Sequence, residues 1–342
     1  MRWLICAGLA VVVASCTSGP IVSSASHETN VEIAAIGNRL PAAKRPPGAA
    51  LEDDRLIMAD GIVLPLRRWL PAGKPRAVLL ALHGFNDYSN AFAETGAALA
   101  QSGIATFAYD QRGFGATPEA GRWPGTERLV GDAVTATALL RQRYPGVPLY
   151  LLGESMGGAT AILAATRKTT PPLDVDGLIL LAPAVWGRQM MNVFERVGLW
   201  FADLMPAVKW SPNALPIQVM PSDNLPMLRA LGADPLVIKA TRTDAVSGLV
   251  ALMSEALAAA PRFAPPALIL YGARDELVPR AAMRRFIATL PAAAEARQRV
   301  AFYPWGYHLL TRDLEGALVT RDIAAWVRDP NAALPSGADH AG

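Results

Sequence analysis

Over most of its length the chain alternates short apolar runs with longer stretches of helical character. Residues 77–82, 104–109, 149–152 and 178–181 are almost continuously apolar, the pattern of strands covered on both faces of a parallel sheet. Residues 92–101, 128–144 and 157–167 separate them and read as helices. Two later strand runs, 267–271 and 299–302, enclose a helix at 280–290, and a last helix is expected over 314–328. Ahead of all these, Ile57-Met58 and residues 62–69 flank Asp60-Gly61, a hairpin turn. The pattern predicts eight strands: an antiparallel pair, then β-α-β units. That is an α/β fold with a mostly parallel eight-stranded sheet and helices on both faces.

The alternation stops over about 184–264. This stretch is rich in large apolar residues, including Trp186, Met190, Met191, Phe194, Trp200 and Met205, then is broken by prolines, then offers a helix over 245–259. It reads as a helical cap inserted into the body, which spans 51–330. Its apolar side chains have two readings, a face packed on the core or a lid over an apolar pocket for flexible acyl chains. Residues 331–342, rich in Pro, Gly and Ala, read as a loose tail.

The N-terminus has a different pattern. Arg2 is followed by an apolar stretch over 3–13 and by small residues, the plan of a secretory signal and short for a membrane-spanning helix. Val13-Ala14-Ser15-Cys16 resembles the bacterial lipoprotein box, which implies removal of residues 1–15 and lipidation of Cys16. An uncleaved anchor is the alternative. Residues 16–50, dominated by small residues and proline, read as a tether that would hold the body roughly 30 Å from a bilayer. Thr17, where an Asp would mark inner-membrane retention, points to the outer membrane of a bacterial cell envelope.

Composition narrows the picture. Hydrophobic residues make up 52% of 342, enough for a large core. The net charge is +3 and no dense Lys/Arg run accompanies it, so nucleic acid is not an expected partner. The only cysteines are Cys6 and Cys16, so the body has neither a disulfide nor a cysteine metal site.

The chemistry centres on Gly153-Glu154-Ser155-Met156-Gly157-Gly158, between a predicted strand and a predicted helix. This is the context of a nucleophile elbow: Gly153 and Gly157 leave room for a tight turn that presents the Ser155 hydroxyl at a helix N-terminus. A serine needs a base. Of four histidines, His27 and His340 lie in the tether and tail and His83 precedes the elbow, which leaves His308. Asp275, after the penultimate strand, is the expected acid in the order Ser, acid, His, and the adjacent Glu276 would face elsewhere. Backbone N–H groups of Met156 and Phe85 are the expected oxyanion donors. His83 would support the Phe85 loop, and Asp110 with Arg112 would hold the turn over 110–117. The reaction calls for no metal and no cofactor.

Together His83-Gly84-Phe85, residues 110–117, the Ser155 elbow, Asp275 and His308 resemble the α/β-hydrolase superfamily, within it the monoacylglycerol lipase/lysophospholipase-like group, which includes serine aminopeptidase S33-type members. The resemblance implies an α/β-hydrolase fold and a serine hydrolase of carboxylic esters, with a small lipid-like ester as substrate and the membrane as partner through the N-terminal anchor. Two other readings share the sequence. A peptidase or amidase would use the same triad, with Glu195, Asp203 or Asp223 available to meet a substrate amine. A binding lipoprotein would keep the fold without catalysis. Oligomeric state is not indicated.

Overall fold

The computed structural model describes residues 48–210 and 219–340. The signal, Cys6, Cys16 and most of the tether lie outside the described residues. The body begins with β1 (Ala50–Leu51), β2 (Arg55–Ile57) and β3 (Val63–Trp69). It continues through β4 (Ala77–Leu82), α1 (Ala93–Gln101), β5 (Ile104–Tyr109), α2 (Thr126–Arg143), β6 (Leu149–Glu154), α3 (Met156–Thr166) and β7 (Gly177–Leu181). The insertion contains α4 (Val193–Asp203), β8 (Lys209–Trp210), α5 (Leu225–Ala233), β9 (Thr241–Arg242) and α6 (Thr243–Ala259). The chain ends with β10 (Ala267–Gly272), α7 (Arg280–Ala288), β11 (Gln298–Tyr303) and α8 (Gly316–Arg328).

The main sheet has the order β1-β2-β3-β5-β4-β6-β7-β10-β11. Its first three pairings are antiparallel and the rest are parallel. The eight predicted strands are all present. The ninth is β1, in which Ala50 and Leu51 pair with Ile57 and Leu56. Two residues are too few to leave a pattern, and they straddle the expected boundary between tether and body at residue 50. The Asp60-Gly61 turn forms as expected, with Gly61 at φ 83° and Asp60 accepting the Ile62 N–H.

Side-chain alternation along the buried strands divides the core in two. In β4, Val78, Leu80 and Leu82 join the side covered by α2, α3 and α7, whereas Leu79 and Ala81 join the side covered by α1 and α8. Each fully buried leucine contributes about 1.5–3 kcal/mol, so an apolar run of this kind has one stable place, the middle of a covered sheet.

The insertion divides its apolar residues between the two readings. Helix α6 packs on α3 and buries Leu249, Leu252, Met253 and Ala256 in the core. Helix α4 behaves otherwise: Leu199 is buried, but Val193, Phe194, Val197 and Trp200 are exposed, as are Leu204 and Met205 after it. The tail is a correction. Residues 331–340 are not loose: Leu334 and Ala338 are buried, Ser336 N–H donates to Asp322, and Asp339 pairs with Arg299. Asp322 also accepts the Tyr303 hydroxyl at 2.7 Å. Asp322 lies in the middle of α8 and is 0% exposed, and composition alone does not reveal that it anchors a tail.

Candidate active site

The candidate residues follow β4, β6, β10 and β11, at the carboxyl ends of parallel strands, where open α/β sheets bind their ligands. Ser155 sits between β6 and α3 with φ 52° and ψ −112°, a conformation that a residue with a side chain rarely adopts. Its neighbours hold it there. The Ser155 N–H donates to Leu181 O at 2.9 Å, and its carbonyl accepts N–H groups of Ala159 and Ala184. The flanking glycines are needed for space rather than for φ. A Cβ on Gly153 would collide with the Gly157 carbonyl, and one on Gly157 would collide with the Leu82 carbonyl. Within the elbow, Ser155 alone is not fully buried.

Asp275 and His308 meet. His308 Nδ1 lies 2.8 Å from Asp275 Oδ2, and both side chains are buried. The other Asp275 oxygen accepts N–H groups of Leu277 and Val278 at 2.8 and 2.9 Å, which fixes the carboxylate. An ionised carboxylate only accepts, so the imidazole proton is assigned to Nδ1, leaving Nε2 as the basic nitrogen. Burial works against the charged ring, but Asp275 outweighs it with help from Glu154, and the net effect raises the His308 pKa. Gly272 permits the close approach, since a Cβ there would collide with the carbonyls of Gly306 and Tyr307 just ahead of His308. Glu276 faces away, accepting the Met220 N–H of the insertion.

The loop after β4 lies against the elbow: a Cβ on Gly84 would sit 3.5 Å from Ser155 Cβ. His83 supports this loop, with Nδ1 against Gly84 O at 2.8 Å and Nε2 accepting the Gln111 N–H at 2.9 Å. Both ring nitrogens are occupied, and burial lowers the pKa, so His83 is neutral and structural. Asp110 holds its turn by accepting from Ser89 and from Ala116 N–H. Arg112 corrects the expectation that it shares this task. It reaches instead to Asp132 of α2 and Asp60 of the hairpin, at 2.5 and 2.6 Å.

Residues 73–315 match the family described as serine aminopeptidase, S33. The chain belongs to this family. The matched span contains every candidate residue from Phe85 to His308 and most of the fold from β4 onward. Human monoglyceride lipase is 28% identical over 279 residues, covering 80% of this chain and 89% of that protein. Monoacylglycerol lipase of Mycolicibacterium smegmatis is 25% identical over 269 residues, covering 76% and 90%. Among solved structures, the monoacylglycerol lipase of Paleococcus ferrophilus superposes with a TM-score of 0.64 at 22% identity, covering 77% of this chain and 98% of that one. A soluble variant of the Saccharomyces cerevisiae monoglyceride lipase, solved with a substrate analog, gives 0.65 at 18% identity, covering 85% and 97%. At these identities the structural likeness is one of fold, the α/β-hydrolase fold expected from the sequence.

Sequence reading missed a buried ion cluster in this S33-family site. Arg312 Nη1 donates to Asp87 Oδ2 and its Nη2 donates to Glu154 Oε1, each at 2.7 Å, and all three side chains are buried. Burial opposes the Arg312 charge, yet Glu154 and Asp87 raise its pKa, so it stays cationic. The available signal was an arginine beside Leu309-Leu310, four residues after His308. The acids offered for a substrate amine are all engaged. Glu195 accepts the Asn192 N–H, Asp203 pairs with Arg188, and Asp223 accepts the Leu314 N–H.

Proposed function

We propose that this chain is a serine carboxylic-ester hydrolase acting on single-chain lipid esters of the monoacylglycerol or lysophospholipid type. The buried Asp275–His308 pair, in the right chain order behind a strained Ser155, carries the reading. Ser155 Oγ attacks the ester carbonyl while His308 Nε2 takes its proton. The oxyanion is held by the N–H groups of Phe85 and Met156. His308 then returns the proton to the leaving alcohol, and water, activated by the same ring, releases the acid from Ser155. Asp275 keeps the ring in its tautomer and stabilises the imidazolium form.

The lipid class is supported by the relatives named monoglyceride and monoacylglycerol lipases, and by the exposed apolar surface of α4 in the insertion. We further propose that a lipid on Cys16 holds the enzyme in a bacterial cell envelope, at the outer membrane. The test is a panel of p-nitrophenyl esters, monoacylglycerols, lysophospholipids and aminoacyl amides. Ester cleavage is expected, with long-chain monoacylglycerol or lysophospholipid preferred. Cleavage of amides alone would overturn it.

A further inference from the structure

One guanidinium touches three segments of the candidate site. Asp87 lies two residues beyond Phe85 in the loop after β4, Glu154 immediately precedes Ser155, and Arg312 lies four residues beyond His308. Arg312 donates to Asp87 with one arm and to Glu154 with the other, over sequence separations of 225 and 158 residues. Asp87 and Arg312 have second contacts that stiffen their own loops. Asp87 Oδ1 accepts the Tyr88 N–H at 2.8 Å, and Arg312 N–H donates to Leu309 O at 2.7 Å. The next residue, Asp313, accepts the Tyr307 N–H and the Ser222 hydroxyl.

Stability alone does not account for this cluster. Burying charges costs more than an apolar packing of similar volume, even when the charges are paired. Here the pairing is incomplete: Arg312 Nε and Glu154 Oε2 are buried without a hydrogen-bond partner among the described residues. What the cluster does supply is fixed geometry, because a planar two-armed donor sets both distance and angle between the loops it joins.

We propose that Arg312, with Glu154 and Asp87, is a positioning device that locks the oxyanion loop, the nucleophile elbow and the His308 loop into one reactive arrangement. This rests on the ester-hydrolase reading. The cluster also acts on His308 through charge. The charges that act on the ring are those of Asp275 after β10, which also touches it, Glu154 at the end of β6, and Arg312 and Asp313 from its own segment. Glu154 raises the imidazole pKa and Arg312 lowers it. Loss of the Glu154 charge therefore lowers that pKa.

The experiment compares wild type with Arg312→Met, Arg312→Lys, Asp87→Asn and Glu154→Gln on a soluble p-nitrophenyl ester, with fluorophosphonate labelling of Ser155 in parallel. Misplacing catalytic groups by about 1 Å costs on the order of 100-fold in rate. Arg312→Met is expected to lose about that in kcat with KM within twofold, and Arg312→Lys to regain part of it. Asp87→Asn should lose kcat, and Glu154→Gln should move the acid limb of kcat/KM to lower pH. If Arg312→Met does not fold, the other three variants still decide. Unchanged kcat in the variants, losses confined to KM, or an unmoved acid limb in Glu154→Gln would overturn the proposal. A wild-type enzyme that neither hydrolyses esters nor labels at Ser155 would instead overturn the function on which it rests.

Discussion

Ser155 pays for its exposure in backbone strain, which for a left-handed φ at a non-glycine residue is about 1–3 kcal/mol. Three backbone hydrogen bonds from β7, α3 and the following loop hold it in place. His308 is tuned in a different way. Burial alone would keep the ring neutral at lower pH, but Asp275 and Glu154 reverse that and raise its pKa above the usual 6.5. A protonated ring cannot accept the serine proton. The acid limb of kcat/KM is therefore expected to have its midpoint above pH 6.5, with activity falling about tenfold per pH unit below it. A pH–rate profile checks this, and a midpoint below 6.5 contradicts it. Asp275→Asn keeps an oxygen for the Leu277 and Val278 N–H groups and turns an amide donor toward His308 Nδ1, which imposes the wrong tautomer and removes the raising charge; it should reduce kcat on the order of 10⁴-fold at neutral pH.

At the scale of elements, the elbow works because β4, β6 and α3 approach too closely for side chains. Gly157 faces the Leu82 carbonyl, a backbone atom that cannot swing aside. Gly157→Ala is expected to push α3 off the sheet and to destabilise the protein by about 1–3 kcal/mol. Urea denaturation measures this, and an unchanged midpoint contradicts it. These glycines were legible in the sequence, as were the buried strands, because a sheet covered on both faces demands unbroken apolar runs. His308 was legible because the body offers only one histidine after Ser155. The Arg312 cluster was not, since its partners lie 158 and 225 residues away and leave no local pattern. The docked tail has a related reason, since a few long-range bonds hold a stretch whose composition suggests loop, whereas strand β1, paired locally with Ile57 and Leu56, is too short to leave a pattern.

For the molecule as a whole, the insertion is the least legible part. Its apolar residues serve two ends, since α6 completes the core while α4 turns large apolar side chains outward. An outward apolar face on a chain proposed to act on lipid esters suits attachment at a membrane. The proposed lipidation predicts that the mature N-terminus is residue 16 carrying acyl chains, and that Cys16→Ser moves the protein to the soluble fraction without changing kcat on a soluble ester. Mass spectrometry of the membrane-extracted protein and fractionation check both. An intact Met1 or an unmodified Cys16 contradicts the anchor and leaves the chemistry of the site untouched.

That chemistry is the central claim, and its most direct test is covalent. A fluorophosphonate should label the purified wild-type protein stoichiometrically, with the adduct mapping to the peptide that contains Ser155. Ser155→Ala should fold normally, take no label and lose ester hydrolysis by a factor on the order of 10⁶ in kcat. Ester hydrolysis retained by folded Ser155→Ala, or an adduct on another residue, would contradict the account.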